Sequence, residues 1–406
     1  MANNNKHTGP NVPALRFPEF SGEWESCTLG DITNNFSRRN KDRIQYPMFS
    51  VTNNRGFVPQ SEQFEDREMV GEDIQAYKVI EKGDFAYNPA RINVGSIAKY
   101  EGNGKCMISS LYVCFNTIDR IDRDWFMHLL KTPKMNFYYN LNGEGGVRVY
   151  LFYPNFARIR SSYPSLAEQK KIAAMLSLID ERIAIQSKMI EELNTLRSAL
   201  IDKYISDGYG QDGVQDIVTL GDNGVFIRGL SYSSSDVTDH VEMTGVIRSN
   251  NLESGHPVDT DTDVVFVRKK PSKEQQLVCG DIVICMANGS SALVGKASQY
   301  QAMKDNMTVG AFCGIYRGTH PLTKWIFMSS TYSKAVANAI QGGNGAIANL
   351  HGEDVLAMRF AIPRDCSDVK RLFELFSACD AKIIGAERIL AQYRLQKRFL
   401  MQKMFI

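Results

Sequence analysis

The feature that most constrains this chain is a hydrophobic seam that occurs twice, at a fixed distance. Ile172, Leu176, Ile179, Ile183, Gln186, Ile190, Leu193, Arg197, Leu200 and Tyr204 follow one another in alternating steps of four and three, and eight of the ten are apolar. A period near 3.5 is that of a coiled-coil helix. Adding 200 to each number gives Leu372, Phe376, Cys379, Ile383, Ala386, Leu390, Tyr393, Lys397, Leu400 and Met404, nine of them apolar. The basic interruption recurs as well, as Arg197 and Lys397. Two in-register seams at one offset predict a duplicated chain.

Each seam covers about 32 residues, or roughly 48 Å of helix at 1.5 Å per residue. That is more than a domain of about 150 residues needs, so the two helices are expected to pair with each other. In a parallel pair Arg197 would face Lys397 inside the seam. In an antiparallel pair Arg197 falls beside Cys379 and Lys397 beside Ile179, where each long side chain can snorkel outward. The antiparallel arrangement is therefore expected, with a globular head at either end of a rod.

The rest of the chain repeats in the same order. Residues 1–14 are polar and Asn-rich, without the apolar stretch of a signal peptide, and read as a disordered tail. The first head spans 15–163. It opens on an apolar-aromatic lead-in from Leu15 to Trp24 and carries short β-type runs at 47–51, 85–87, 95–100 and 110–115. A helical stretch at 125–130 and a glycine-rich loop at 142–148 follow. The first spacer helix occupies 164–208, entered through Ser165 and Glu168 at capping-box spacing and ending near Asp207-Gly208. The second head (209–363) and second spacer helix (364–406) repeat the landmarks: Thr28-Leu29-Gly30-Asp31 returns as Thr219-Leu220-Gly221-Asp222, Val94-Gly95 as Val294-Gly295, Trp125 as Trp325 and Pro164 as Pro363. Asp365 and Asp368 replace Ser165 and Glu168 as the cap. The expected fold class is α+β: two globular domains separated by two long helices that form an antiparallel coiled coil, with an internal pseudo-two-fold repeat.

Chemistry is scarce. There is no Gly-x-x-x-x-Gly-Lys-Ser/Thr loop, and the six histidines lack zinc spacing. Tyr87-Asn88-Pro89-Ala90-Arg91 approaches an amino-methyltransferase motif but lacks its second proline and its aromatic, so it reads as a turn. The eight cysteines contain no C-x-x-C pair and most sit among apolar neighbours, the pattern of free thiols in a reducing cytoplasm. No apolar run reaches about 18 residues, so no membrane contact is expected. Net charge of +2 says little about partners. The chain is expected to bind without catalysing and to hold no metal. Basic and polar residues on expected loops suit either a solvated surface or phosphate clamping with base reading. In the first head these are Arg38, Arg39, Lys41, Asn53, Arg55, Tyr87, Asn88, Arg91 and Arg148. In the second they are Arg228, Arg268, Lys269, Asn288, Ser290, Lys296 and Asn344.

These residues resemble a known family. The lead-in from Leu15, the string Trp24-x-x-x-Thr28-Leu29-Gly30-Asp31, and Pro164-x-x-x-Glu168-Gln169-Lys170-Lys171-Ile172-Ala173 running on to Leu178-Ile179-Asp180 carry the likeness. So does the terminal Leu400-Met401-Gln402-Lys403-Met404-Phe405. The second helix entry departs from the pattern, with Asp368-Val369 where Glu-Gln is expected. The chain is similar throughout to the DNA-specificity subunit of type I restriction-modification systems. The resemblance implies two target recognition domains reading one bipartite, asymmetric site in double-stranded DNA. It implies helices that space the half-sites and dock two methyltransferase subunits, which bind S-adenosylmethionine. A restriction subunit using ATP and Mg would join through them, and this chain would hold no cofactor of its own. Two other readings remain open: a self-contained methyltransferase with a fused recognition domain, and a coiled-coil scaffold that binds protein only.

Overall fold

The computed structural model describes residues 11–63, 74–145, 149–205, 215–341 and 348–406. The chain divides into two compact units, Met1–Ser187 with Ile389–Ile406, and Lys188–Arg388. Each unit thus contains a head and a stretch of both long helices, a different cut from the expected division into separate heads and spacers.

The first unit begins β1 (Glu25–Thr28), α1 (Leu29–Ile32), β2 (Thr33–Phe36), β3 (Phe49–Thr52), β4 (Gly56–Pro59) and α2 (Gln60–Gln63). It continues with β5 (Lys78–Ile80), β6 (Phe85–Tyr87), β7 (Ile97–Lys99), β8 (Cys106–Ile108) and β9 (Val113–Thr117). Then come α3 (Arg123–Leu130), α4 (Pro133–Asn142), α5 (Tyr153–Ala157), β10 (Arg160–Tyr163) and the start of α6 (Leu166–Tyr204). The main sheet is antiparallel in the order β2-β9-β6-β7. Strand alternation sorts its residues into two cores. Phe85, Tyr87 and Phe115 face α3 and α5, where Phe126 and Phe156 complete an aromatic cluster. Ala86, Ala98 and Cys114 face the other way, onto Val51, Ile80 and Cys106 of a second layer. That layer runs β4-β3-β8-β5: the Met107 amide donates to the Pro47 carbonyl, and Arg39 bridges to Lys78 at the far edge.

The second unit repeats this plan. Its strands are β11 (Gln215–Thr219), β12 (Gly224–Arg228), β13 (Val237–Thr238), β14 (Thr244–Ile247), β15 (Val265–Val267), β16 (Ile282–Cys285) and β17 (Ala287–Asn288). β18 (Ala297–Gln299), β19 (Met307–Val309), β20 (Cys313–Gly318), β21 (Ala348–Asn349) and β22 (Arg359–Pro363) follow. The helices are α7 (Thr323–Ile326), α8 (Ser330–Gln341), α9 (Gly352–Ala357) and the start of α10 (Cys366–Lys403). The main sheet, β12-β20-β16-β18, matches β2-β9-β6-β7 strand for strand, and β11-β22 matches β1-β10. The capping interaction recurs too. The Thr28 amide and hydroxyl both donate to Asp31 at 2.7 Å, and those of Thr219 donate to Asp222 at 2.8 and 2.7 Å.

The seam forms as expected. Ile172, Leu176, Ile179, Leu372, Phe376, Ile383 and Leu390 are buried, and Ile183, Ile190, Leu193, Leu200 and Leu400 are half-buried. Within the first unit Lys397 pairs with Asp180, and Arg182 lies 6.0 Å from the Tyr393 ring centre. As one number rises the partner's falls, so the helices run antiparallel. Within the second unit Arg197 bonds Asp380 at 2.9 Å, and Ile201 and Ile205 share a core with Leu372 and Phe376. Each basic residue lands one position from its expected neighbour.

Three expectations are corrected. Arg197 does not snorkel: it is 7% exposed and lies in an ionic cluster. Asp380, also buried, accepts from Arg197, from Lys324 at 2.6 Å and from Trp325 Nε1 at 3.1 Å. Residues 11–14 are not tail. Pro13 is buried, and the Asn11 side chain donates to the Trp24 carbonyl at 2.6 Å and to the Ser162 hydroxyl at 2.9 Å. The capping box is half made. Ser165 Oγ accepts the Glu168 amide at 3.4 Å, but the buried Glu168 carboxylate takes the Arg16 guanidinium at 2.8 and 2.7 Å. At the second helix Asp365 accepts from the Ser367 amide, while Asp368 faces Arg371. The expected helix end at Asp207-Gly208 lies outside the described residues. Among the described residues no helix is long and apolar enough to cross a membrane.

Candidate nucleic-acid interface

The loop after β6 and its counterpart after β17 share one construction. Asn88 Oδ1 accepts the Ala90 amide at 3.0 Å, and Asn288 Oδ1 accepts the Ser290 amide at 3.0 Å. Asparagine forms such turns because its short side chain mimics a backbone carbonyl. A single 3₁₀ turn follows in each, Ile92–Val94 and Ser291–Leu293. Each then bends at a left-handed glycine, Gly95 at φ +99° and Gly295 at φ +80°. Only glycine adopts this without strain. Space forbids a side chain as well. A Cβ at Gly95 would lie 3.0 Å from the Asn53 carbonyl oxygen, and one at Gly295 would overlap Val336.

In the first unit this loop gathers several elements. The Ser96 hydroxyl donates to the Val51 carbonyl at 2.7 Å, the Asn93 amide to Asn140 at 3.0 Å, and the Leu151 amide to the Pro89 carbonyl at 2.9 Å. Asn53, Asn88 and Arg91 are thereby brought together. Arg91 is exposed, and among the described residues its guanidinium has no partner. Arg55 is exposed in the same turn as Asn53 and pairs with Glu62 at 2.8 Å. Arg39 and Lys41 are exposed but sit at the opposite edge of the second layer.

Two first-unit candidates are corrected. Tyr87 is fully buried in the aromatic core, and burial pushes its phenol far above the ordinary range. It cannot touch DNA. Arg38 bonds Asp84 at 3.0 Å and lies 4.7 Å over the Phe36 ring, tying β2 to the turn before β6. Asp281 takes Arg317 at 2.9 and 2.8 Å in the equivalent turn of the second unit. Asn88 is half-buried, with its Oδ1 engaged in the loop's own turn. Arg148 and Asn344 lie outside the described residues.

In the second unit Ser290 is exposed and Asn288 half-buried, its amide 3.4 Å from the Ser249 hydroxyl. Arg228 is exposed at the end of β12. Lys296 is half-buried and lines a cleft of about 690 Å³ with Arg197, Ser291 and Val336. Arg268 and Lys269 are exposed but fold onto their own chain, donating to the Ser235 and Ser231 carbonyls at 3.3 and 2.7 Å. The Asp236 carboxyl beside them is held low, first by the Ser233 amide and hydroxyl and then by these two cations.

Sequence reasoning missed the anchors that join head to helix. The buried Gln169 amide accepts from the Asp122 amide at 2.7 Å and donates to the Arg120 and Pro164 carbonyls. Two adjacent polar residues, Glu168 and Gln169, at the mouth of an apolar seam were the available signal. Beside the helix pair of the first unit, burial pulls the His128 imidazole down to about 4; Lys397 adds to the effect and Asp180 opposes it.

Two like α+β units, each closed by an antiparallel pair of helix segments, make up a fold similar to that of solved type I S subunits. The S subunit from M. genitalium has a TM-score of 0.59 to this chain at 14% identity, covering 97% of this chain and 99% of that one. In sequence, residues 21–195 match the family described as the type I restriction modification DNA specificity domain. The type I restriction enzyme StySPI specificity subunit of Salmonella potsdam is 36% identical over 116 residues, 28% of this chain and 23% of that protein. The EcoKI specificity subunit of Escherichia coli strain K12 is 40% identical over 94 residues, 22% and 20% of the two chains. The matched stretches span about a fifth to a quarter of these relatives' own length. Residues 21–195 thus carry the likeness to a type I DNA specificity domain, and the fold as a whole is similar to that of the solved S subunit.

Proposed function

We propose that this chain is the DNA-reading subunit of a type I restriction-modification complex in the cytoplasm. It reads a bipartite, asymmetric site in double-stranded DNA, one half-site per head, and performs no catalysis itself. The repeated loop carries this reading: both heads build the same rigid loop and present polar side chains from it. Rigid scaffolds that present variable loops are the usual way a protein positions binding residues. The family match over residues 21–195 supports the same conclusion. The two long helices set the gap between half-sites and dock two methyltransferase subunits, through which the restriction subunit joins. S-adenosylmethionine belongs to the methyltransferase partner, and ATP and Mg to the restriction partner.

The test is to map modified adenines genome-wide in a host carrying this chain with its methyltransferase. A single two-part motif with a fixed gap is expected. Methylation without sequence preference would refute the reading. Methylation of DNA by the purified chain alone would refute the non-catalytic assignment.

A further inference from the structure

Compared at the 200-residue offset, the two loops keep their frame and change their tip. Asn88, Val94 and Gly95 return as Asn288, Val294 and Gly295, with the same 3.0 Å turn bond and the same left-handed glycine. Between them Pro89-Ala90-Arg91 becomes Gly289-Ser290-Ser291. Arg91, Ser290 and Ser291 are all exposed. A loop needed only for packing has no reason to keep this turn and glycine while exchanging the exposed side chains at its tip, arginine for serine. A loop that reads a different sequence in each head has that reason.

We infer that these two loops are equivalent base-reading elements, in which Arg91 and the Ser290-Ser291 pair determine specificity and Asn88 and Asn288 are positioning residues. The inference rests on the DNA-reading function proposed above. The tips differ in chemistry. Arg91, free of any partner among the described residues, offers the planar donor fork that pairs with guanine O6 and N7 in the major groove. The serine hydroxyls both donate and accept, and suit a wider choice of base edges. Asn88 and Asn288 act through the backbone. Without the side-chain acceptor the turn loses its local bond and the tip its fixed direction.

The experiment is selection of duplexes from a randomised library by the full chain, wild type and variants, with thermal unfolding measured alongside. Wild type is expected to select a two-part motif. Arg91→Ala should weaken preference at one guanine position in one half by roughly tenfold to a hundredfold, leaving the other half intact. Ser290→Ala with Ser291→Ala should act on the other half only. Asn88→Ala should blur the same half as Arg91→Ala without lowering the unfolding temperature by more than a few degrees. Asn88→Asp keeps the accepting oxygen and should restore the preference, at lower overall affinity because of its charge. A wild-type motif that these variants leave unchanged would overturn the loop assignment while leaving DNA reading intact. A wild-type chain that selects no motif would overturn both. If Arg91→Ala relaxes the motif but Asn88→Ala does not, the positioning role is lost.

Discussion

Removing the Asp380 carboxylate should be the most damaging single change to the helix pair. Asp380 is 6% exposed and accepts from three groups: Arg197 at 2.9 Å, Lys324 at 2.6 Å and Trp325 Nε1 at 3.1 Å. In Asp380→Ala the Arg197 guanidinium stays buried without its counter-charge. Breaking a buried pair in this way costs roughly 3–5 kcal/mol, mostly the penalty of the stranded ion. A domain of this size loses about 2–4 °C of Tm per kcal/mol, so a fall of roughly 6–20 °C is expected by calorimetry. Asp180→Ala is the internal control. It removes the equivalent acid, but the Asp180 side chain is 41% exposed and that of Lys397 24%. Water then replaces the partner, and the cost should be about 0–1 kcal/mol. Arg197→Met combined with Asp380→Leu should recover most of the loss, since apolar groups of similar volume often replace buried ion pairs without penalty. If Asp380→Ala costs no more than Asp180→Ala, the argument from burial is wrong.

Acid should destabilise the first unit through His128. Its folded value of about 4 lies below the ordinary 6.5, so the unfolded chain binds the extra proton, and stability falls as pH drops from about 6.5 towards 4. The loss should approach about 3 kcal/mol at the low end, and His128→Gln should flatten the pH dependence of Tm in that window. Phe405→Ala should cost roughly 3–5 kcal/mol, because Phe405 is 9% exposed and stacks on Trp125 with ring centres 6.0 Å apart. Gly295→Ala should cost at least about 1 kcal/mol in denaturant unfolding, from a left-handed φ and overlap with Val336.

The seam was legible because helix packing is periodic and local. Its direction followed from two like charges that could not meet, although their true partners, Asp380 and Asp180, sat one residue past the apolar neighbours expected. Tyr87 was misjudged because the Asn-Pro after it suggested a turn. The alternation of Phe85 and Tyr87 about Ala86 already placed it on the core face. Arg38 looked like a free cation because its partner, Asp84, is distant in sequence and reaches it only through strand pairing. At Glu168 a sound local rule predicted a cap. The carboxylate instead went to Arg16, 152 residues away, since for a buried carboxylate a two-point bond to a guanidinium outweighs one to an amide that water can serve.

The duplication also explains how frame and tip could part company. Asp180 and Arg197 stand seventeen residues apart on α6, and Asp380 and Lys397 stand the same distance apart on α10. A helix carrying both members of an ion pair is complementary to an antiparallel copy of itself, so one pair of charges in a single repeat yields two bridges after duplication. In the second unit the bridge also takes Lys324 and the Trp325 indole, which donate to Asp380. The reading loops are under the opposite demand. Two identical tips on matched frames could recognise only a site whose halves repeat one sequence. On the reading proposed above, arginine at 91 and serine at 291, on loops that Asn88 and Asn288 hold in one shape, would make the two half-sites different without disturbing what holds the heads.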